Sequence, residues 1–336
     1  MYDPKFPVVE LHRHLDGNIQ PETIWSLAQK FNITLPATTL EEFIPQARVA
    51  KQTSDLMAFI EKLEYGVSVL ASTSAIRRVA YENIRDAKAS GIDYIELRFS
   101  PYFMARAHQL KLTEVVEAVI EGVDAGTQQY GVKANLIGIL SRTFGVETCL
   151  QELEALLQFK DDIVALDLAG DEKQFPAELF KQHFSLGRDA GWQITVHAGE
   201  ADGPESIWSA IHALGATRIG HGCSAVQDPT LLEYMAKHNI AVESCLTSNF
   251  QTSTVTNLTQ HPVKTFLEHN LRVSLSTDDP AVSNIDLAHE FNVAKDVVGL
   301  SDTQLLQLQH NALHSAFLSD SDKQALIANK AKSVNP

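Results

Sequence analysis

The sequence is poor in cysteine and in basic residues. It has three cysteines, Cys149, Cys223 and Cys245, and no two of them lie close together in the chain. Few and widely spaced cysteines argue against a disulfide framework and against a zinc site built from thiolates, and they favour a reducing compartment. Lysine and arginine number 27 against 42 aspartates and glutamates, which gives a formal net charge of −15. Because that charge repels phosphate backbones and anionic bilayers, neither nucleic acid nor a membrane is expected as a partner.

Two kinds of apolar segment are also missing. The first residues, Met1–Lys5, do not show the basic region and apolar core of a secretion signal, and no apolar run approaches the length that spans a bilayer. We therefore expect a cytoplasmic protein, and no feature predicts a protein partner.

No linker, low-complexity tract or internal repeat divides the 336 residues, so we expect residues 1–336 to form a single domain.

Short apolar runs alternate with longer segments of helical period along the chain. This alternation predicts parallel strands joined by crossover helices, and eight such runs predict a closed (β/α)8 TIM barrel of the α/β class. The predicted strands are Val8–Leu11, Tyr94–Phe99, Ala134–Leu140, Ile163–Leu168, Gln193–Val196, Arg218–Gly220, Ile240–Cys245 and Val273–Ser276.

Two connections are longer than a barrel needs. Extra helices are expected in Ile19–Ser90, between strands 1 and 2, and in Asn284–Pro336, after strand 8. The first group has two interpretations: it covers the end of the barrel that carries His12 and His14, or it extends the outer ring of helices. Apolar stripes such as Leu56, Phe59, Ile60 and Leu63, or Cys149, Leu150, Leu153, Leu156 and Leu157, are expected to be core.

Titratable residues follow the predicted strands, where barrel enzymes place their chemistry. His12 and His14 end strand 1 and, being two residues apart on an extended strand, face the same side. His197 ends strand 5, His221 strand 6 and Asp278 strand 8. Three imidazoles and a carboxylate suit zinc, although iron, manganese or nickel also accept such ligands.

The division of these residues between metal binding and catalysis stays open at this level. Spacing favours His12, His14, His197 and Asp278 as the ligands, with His221 as a base beside the bound water, but His221 and Asp278 could exchange roles. The other nine of the thirteen histidines are expected to be solvated or to cap helices. They are His108, His183, His212, His238, His261, His269, His289, His310 and His314.

Six ordered motifs resemble the bacterial adenosine deaminases of the metal-dependent amidohydrolase superfamily. They cover nearly the whole chain from about Pro7 to the C-terminal helices. The motifs are His12-Arg-His-Leu-Asp-Gly17, Leu168-Ala-Gly-Asp-Glu172, His197-Ala-Gly-Glu-Ala-Asp-Gly-Pro204, Ile219-Gly-His-Gly222, Cys245-Leu-Thr-Ser-Asn249 and Thr277-Asp-Asp-Pro280.

The resemblance implies a role for each matching residue. One zinc ion per chain would be held by His12, His14, His197 and Asp278. Glu200 matches the proton donor of the family, and His221, with Asp278, lies beside the attacking water. His14, Asp16, Gly170 and Asp279 match positions that contact the purine nucleoside, with Asp16 at the ribose, Gly170 at the purine through its backbone and Asp279 at ring N7. The implied reaction is hydrolytic deamination of adenosine, and of 2′-deoxyadenosine, at purine C6 to give inosine and ammonia in purine metabolism.

Other functions differ from this one in identifiable residues. Adenine deaminases tend to carry glutamate where this chain has Asp16, and a nucleotide's 5′-phosphate near Asp16 would meet a carboxylate. Two-metal hydrolases usually need a bridging lysine after strand 4, where this chain has Asp167-Leu-Ala-Gly170. N6-substituted adenine nucleosides remain alternative substrates, and a non-catalytic nucleoside-binding protein is the alternative from another class. Ser276, where many relatives carry asparagine, is a departure that bears on how Asp278 is positioned.

Overall fold

A computed structural model describes residues 3–334. Its eight strands form one parallel sheet in the order β1 to β8, with helices between consecutive strands. The predicted (β/α)8 TIM barrel is therefore confirmed. The strands are β1 Val9–His14, β2 Tyr94–Phe99, β3 Lys133–Ser141, β4 Ile163–Ala169, β5 Gln193–Ala198, β6 Arg218–His221, β7 Ala241–Ser244 and β8 Val273–Leu275.

The barrel closes between β1 and the segment that follows β8. The amide of His14 donates to the carbonyl oxygen of Asp278 at 2.9 Å, and the amide of Asp278 donates to the carbonyl oxygen of His12 at 3.0 Å. β1 runs to His14, three residues beyond its predicted end, because these bonds continue its pairing. The closing bonds therefore belong to the same residues whose side chains are expected to bind metal.

The helices between the strands are mostly short. The α-helices are Pro21–Phe31, Leu40–Phe43, Leu56–Ile60, Glu64–Ser68, Thr73–Ala89, Pro101–Ala105, Leu112–Tyr130, Val146–Leu157, Lys181–Asp189, Pro204–Ser209, Pro229–Lys237, Leu246–Gln251, Val263–Glu268, Pro280–Ser283, Leu287–Asp296, Asp302–Ser315 and Asp320–Val334. Single 3₁₀ turns are Glu61–Leu63, Arg142–Phe144, Ala177–Phe180, Cys223–Gln227 and Leu258–Gln260, and Ala210–Leu214 is a π-helical turn. Among residues 3–334, no helix has the length and apolar character to cross a membrane.

The extra helices between β1 and β2 serve both expected purposes. Residues 56–63, called the cover below, line an apolar cavity at the carboxyl end of the barrel through Leu56, Ile60 and Leu63. The helix Thr73–Ala89 instead packs in the outer ring against Leu112–Tyr130. Each interpretation therefore describes a different part of the segment.

The helices after β8 close the opposite end of the barrel. The amide of Phe317 donates to Oε1 of Glu96 on β2 at 2.6 Å. Arg218, at the start of β6, donates to the carbonyl oxygen of Ser315 at 3.0 Å. Helix was correctly expected in Asn284–Pro336, of which residues 335–336 lie outside the described part.

One residue of the expected core is on the surface. In the helix Val146–Leu157 the buried stripe consists of Cys149, Leu153 and Leu156, whereas Leu150 is 39% exposed. The prediction for Leu150 was wrong because it lies one position beyond the stripe that faces the barrel. All three cysteines are buried and free, as their spacing indicated.

Candidate active site

Four side chains meet at the carboxyl end of the barrel in an arrangement that can hold a metal ion. They are His12, His14, His197 and Asp278, and their potential ligand atoms all lie within 4.8 Å of one another. Nε2 of His12 is 3.1 Å from Oδ1 of Asp278, and Nε2 of His14 is 3.1 Å from Nε2 of His197. The fold thus brings together the four side chains that spacing favoured as ligands, from β1, β5 and the segment after β8.

The electrostatics of this cluster fit a cation at its centre. His12 pairs through Nδ1 with Oε2 of Glu243 at 2.7 Å, and with the Nδ1 proton donated there, Nε2 of the neutral ring carries a lone pair. That lone pair faces Oδ1 of Asp278, and both atoms are buried without a hydrogen-bond partner among the described residues. Two buried acceptors 3.1 Å apart repel each other unless a positive charge lies between them. Three imidazole nitrogens and a carboxylate oxygen are ligands of a borderline divalent ion.

Excess negative charge around His14 supports the same conclusion. Burial alone lowers the pKa of this imidazole, but the carboxylates of Asp279, Asp16 and Asp278 outweigh it and raise the pKa well above its usual value. A metal ion would neutralise the same carboxylates in place of that proton.

Buried charged residues inside the barrel hold the imidazole rings of the candidate ligands in place. Asp167 accepts from Nδ1 of His197 at 3.1 Å, as Glu243 does from His12. Arg98 bridges the two carboxylates, at 2.9 Å from Asp167 and 2.7 Å from Glu243. Such partners orient the imidazole rings and tune a metal site. Sequence reasoning missed Glu243 and Arg98, although charged residues inside apolar strands were a visible signal.

Glu200 lies beside the cluster, with its Oε2 3.6 Å from Nε2 of His221. Burial raises the pKa of Glu200 well above its usual range, and the nearby charges of Asp278, Glu172 and Asp279 raise it further. Glu172 also holds the loop that carries Glu200, because its carboxylate accepts from the amides of Gly199, Glu200, Ala201 and Asp202 at 2.5–3.2 Å. The arrangement favours the protonated form of this carboxyl to a higher pH than in an ordinary glutamate.

The backbone is strained at two of the candidate residues. His221 and Asp278 each have φ of 64°, in the left-handed region that side chains with a Cβ rarely adopt. Strain of this kind persists where the surroundings enforce it, and it is concentrated at functional sites.

The cluster opens on a cavity of about 310 Å³ that the cover closes from above. Its lining includes the four residues expected to contact substrate, His14, Asp16, Gly170 and Asp279, together with Glu200 and His221. Gly170 has φ of 113°, and a Cβ there would lie 2.3 Å from Oγ1 of Thr143, so only glycine suits this wall. Most of the remaining lining is apolar, as is usual in a pocket for a small molecule.

The family model for adenosine deaminase matches residues 7–333 of the chain. The chain belongs to the adenosine deaminase family. It is 59% identical to the adenosine deaminase of Salmonella dublin over 326 residues, which cover 97% of this chain and 98% of the relative. It is 56% identical to the adenosine deaminase of Shewanella denitrificans over 331 residues, covering 98% and 100% of the two chains. Among solved structures, the adenine deaminase of Arthrobacter aurescens superposes with a TM-score of 0.90 at 26% identity, over 98% of this chain and 99% of that one.

Membership of the adenosine deaminase family does not account for every buried histidine. His183 and His261 were expected to be solvated or to cap helices. The prediction was wrong for His183, which is buried and caps no helix. His261 is also buried, but it accepts from the amide of Val263, the first residue of the helix Val263–Glu268, and so has the capping role. His183 pairs with the carbonyl oxygen of Val146 at 3.0 Å, away from the cavity. His261 pairs with Asn249, which in turn pairs with His221. No signal in the sequence linked His261 to the site.

Proposed function

We propose that this chain catalyses the hydrolytic deamination of adenosine, and of 2′-deoxyadenosine, to inosine and ammonia, with one zinc ion per chain. One observation carries the proposal: the carboxyl of Glu200, whose pKa is raised by burial, lines the same apolar cavity onto which a cluster fit for a metal opens. Family membership supports the reaction, and the two curated relatives named above are adenosine deaminases.

The proposed ligands of zinc are His12, His14, His197 and Asp278. A zinc ion held there would lower the pKa of a water molecule to about 7 and so supply hydroxide at neutral pH. Asp278 has a second carboxylate oxygen for the reaction, Oδ2, which accepts from Oγ of Ser248 at 2.7 Å and lies 3.9 Å from Nε2 of His221. His221 and Asp278 therefore orient the attacking water between them.

Glu200 supplies the acid. Addition of an oxygen nucleophile to C6 places electron density on the purine ring, and a proton on ring N1 takes up that density. The raised pKa of Glu200 favours the protonated form, which can donate to N1. The amino group then leaves C6 as ammonia with the proton that Asp278 accepts from the water, while the C6 hydroxyl returns a proton to Glu200 and inosine remains.

The remaining cavity residues orient the nucleoside. Asp279 is proposed to pair with N7, and its pKa is raised well above the usual range by burial and by the charge of Asp278, which favours a protonated carboxyl that can donate to N7. Gly170 offers its backbone to the purine. Asp16, whose Oδ2 accepts from the amide of Ser100 at 3.3 Å, is proposed to bind the ribose together with His14.

Adenine is the alternative substrate that a specific observation favours, because the Arthrobacter aurescens structure of similar fold is an adenine deaminase. Asp16 argues for the nucleoside, since aspartate leaves the space that a longer glutamate would fill. The same carboxylate disfavours a 5′-phosphate. Intact Glu200, His221 and Asp278 argue against a non-catalytic binding protein, while N6-substituted nucleosides remain substrates to test.

We further propose that the protein acts in the cytoplasm, in keeping with its free cysteines.

The experiment is a product and metal analysis of one preparation. Purified protein should bind one zinc ion per chain and convert adenosine to equal amounts of inosine and ammonia. Two metal ions per chain would contradict the single-metal site. Tight binding of adenosine without inosine formation would contradict the enzymatic function.

A further inference from the structure

A buried row of hydrogen bonds connects the backbone at Val263 to the catalytic candidate His221. The amide of Val263 donates to Nδ1 of His261 at 3.1 Å. Nε2 of His261 is 3.1 Å from Oδ1 of Asn249, and Nδ2 of Asn249 is 2.9 Å from Nδ1 of His221. All three side chains are buried, so water does not compete for these bonds.

The backbone fixes the direction of the whole row. An amide N–H can only donate, so Nδ1 of His261 must accept and its ring proton must be on Nε2. That proton is donated to Oδ1 of Asn249, which leaves the amide group of Asn249 to donate to His221. Nδ1 of His221 is therefore an acceptor, and its proton is on Nε2. Burial lowers the pKa of His261 to about 3, which keeps this imidazole neutral.

The free end of the row points at the reaction site. Nε2 of His221 lies 3.6 Å from Oε2 of Glu200 and 3.9 Å from Oδ2 of Asp278. An N–H in that position donates a hydrogen bond to an oxygen placed between the two acids. Since Nδ1 is occupied by a donor and Nε2 already carries a proton, this tautomer has no free lone pair with which to accept one.

We propose that Asn249 and His261 are positioning residues that hold His221 in its Nε2–H tautomer, so that His221 presents a hydrogen-bond donor to the attacking water. This inference rests on the proposed function of the site. Neither positioning residue lines the substrate cavity, so both act only through His221.

Reversing one bond of the row is the sharpest test. Asn249→Asp keeps the shape of the side chain but replaces the donor at Nδ2 with an oxygen that only accepts. To pair with that oxygen, His221 must carry its proton on Nδ1, and its Nε2 then presents a lone pair to the reaction site. We expect kcat for adenosine to fall by about 100-fold with KM within about threefold, as for a histidine held in the wrong tautomer.

Two substitutions of His261 separate hydrogen bonding from packing. His261→Gln keeps an N–H donor at the place of Nε2 and should retain most of kcat, whereas His261→Leu removes it and should lose about 10-fold, within the range for one positioning bond. His183→Gln is the matched control, because His183 is equally buried but lies away from the cavity. It should leave kcat unchanged.

The tautomer itself is read by long-range proton–nitrogen NMR of ¹⁵N-histidine-labelled, zinc-loaded protein. The signals of His221 are assigned by their disappearance in His221→Gln. We expect the proton on Nε2 in the wild type and on Nδ1 in Asn249→Asp. A proton on Nδ1 in the wild type overturns the inference even if a variant fails to fold. Unchanged kcat in a folded Asn249→Asp also overturns it. If the wild-type protein binds zinc but does not deaminate adenosine, the proposed function is contradicted. In that case the position of the proton on His221 still shows whether Asn249 and His261 set its tautomer.

Discussion

Gly17 approaches Asp279 so closely that a Cβ on Gly17 would lie 1.5 Å from Oδ1 of Asp279. The glycine belongs to the turn that follows β1, and the aspartate follows β8. The contact therefore links the loop that carries Asp16 to the wall proposed to bind N7. It explains physically why a residue without a side chain stands next to two proposed nucleoside contacts.

Gly17→Ala should displace Asp279 from the cavity. We expect kcat/KM for adenosine to fall by about 100-fold, since a shift of about 1 Å in an orienting group has that effect. Gly203→Ala is the control, because a Cβ there meets within 3 Å only the flexible carboxylate of Glu205. Steady-state kinetics on both variants, with metal content measured, is the test. Wild-type kinetics in Gly17→Ala would show that the position of Asp279 is not required.

Glu200→Gln should retain the fold and metal binding but lose the carboxyl group that is proposed to protonate N1. Glutamine has nearly the same shape and cannot protonate N1, so we expect kcat to fall by at least about 100-fold. Glu205→Gln, an exposed change in the helix that follows this loop, should leave kcat unaffected. The measurement is single-turnover inosine formation at saturating adenosine. If Glu200→Gln turns over at the wild-type rate, Glu200 has no part in the mechanism.

The pH dependence of the reaction should show an alkaline limb set by Glu200. Because the pKa of this carboxyl is raised, the active protonated form persists to a higher pH than in an ordinary glutamate and is lost as the pH rises through that pKa. We therefore expect kcat to decrease toward high pH. The pH profile of Glu200→Gln should lack this limb. An identical limb in that variant would assign it to another group.

Asp167→Asn should weaken metal binding without changing any residue that lines the cavity. Asp167 accepts from Nδ1 of the proposed ligand His197, and removing its charge lowers the basicity of that imidazole. We expect zinc affinity to fall by 10–100-fold, roughly the usual effect of such a partner, as measured by competition with a chelator. Asp162→Asn, at an exposed position just before β4, is the control. Equal affinity in the two variants would contradict the orienting role of Asp167.

Much of this arrangement was predictable from the sequence because parallel strands end at one rim of a barrel. Residues that follow the apolar runs, such as His197 and Asp278, had to meet His12 and His14 there. Strand periodicity does not show which buried charges pair, so the bridge from Arg98 to Glu243 was missed. His261 was missed for a related reason, because only tertiary packing brings its turn against Asn249. The location of the cover was likewise undecided, since a helical stripe does not specify what it packs on.

The choice between a nucleoside and a free base is tested by comparing adenosine with adenine on zinc-replete protein. The ratio of their kcat/KM values reports whether the cavity beside Asp16 is occupied by a ribose. 2′-Deoxyadenosine, adenosine phosphate and N6-methyladenosine complete the panel. We predict rapid loss of adenosine absorbance with formation of inosine, and no detectable turnover of adenine. Turnover of adenine with adenosine inert would contradict the account.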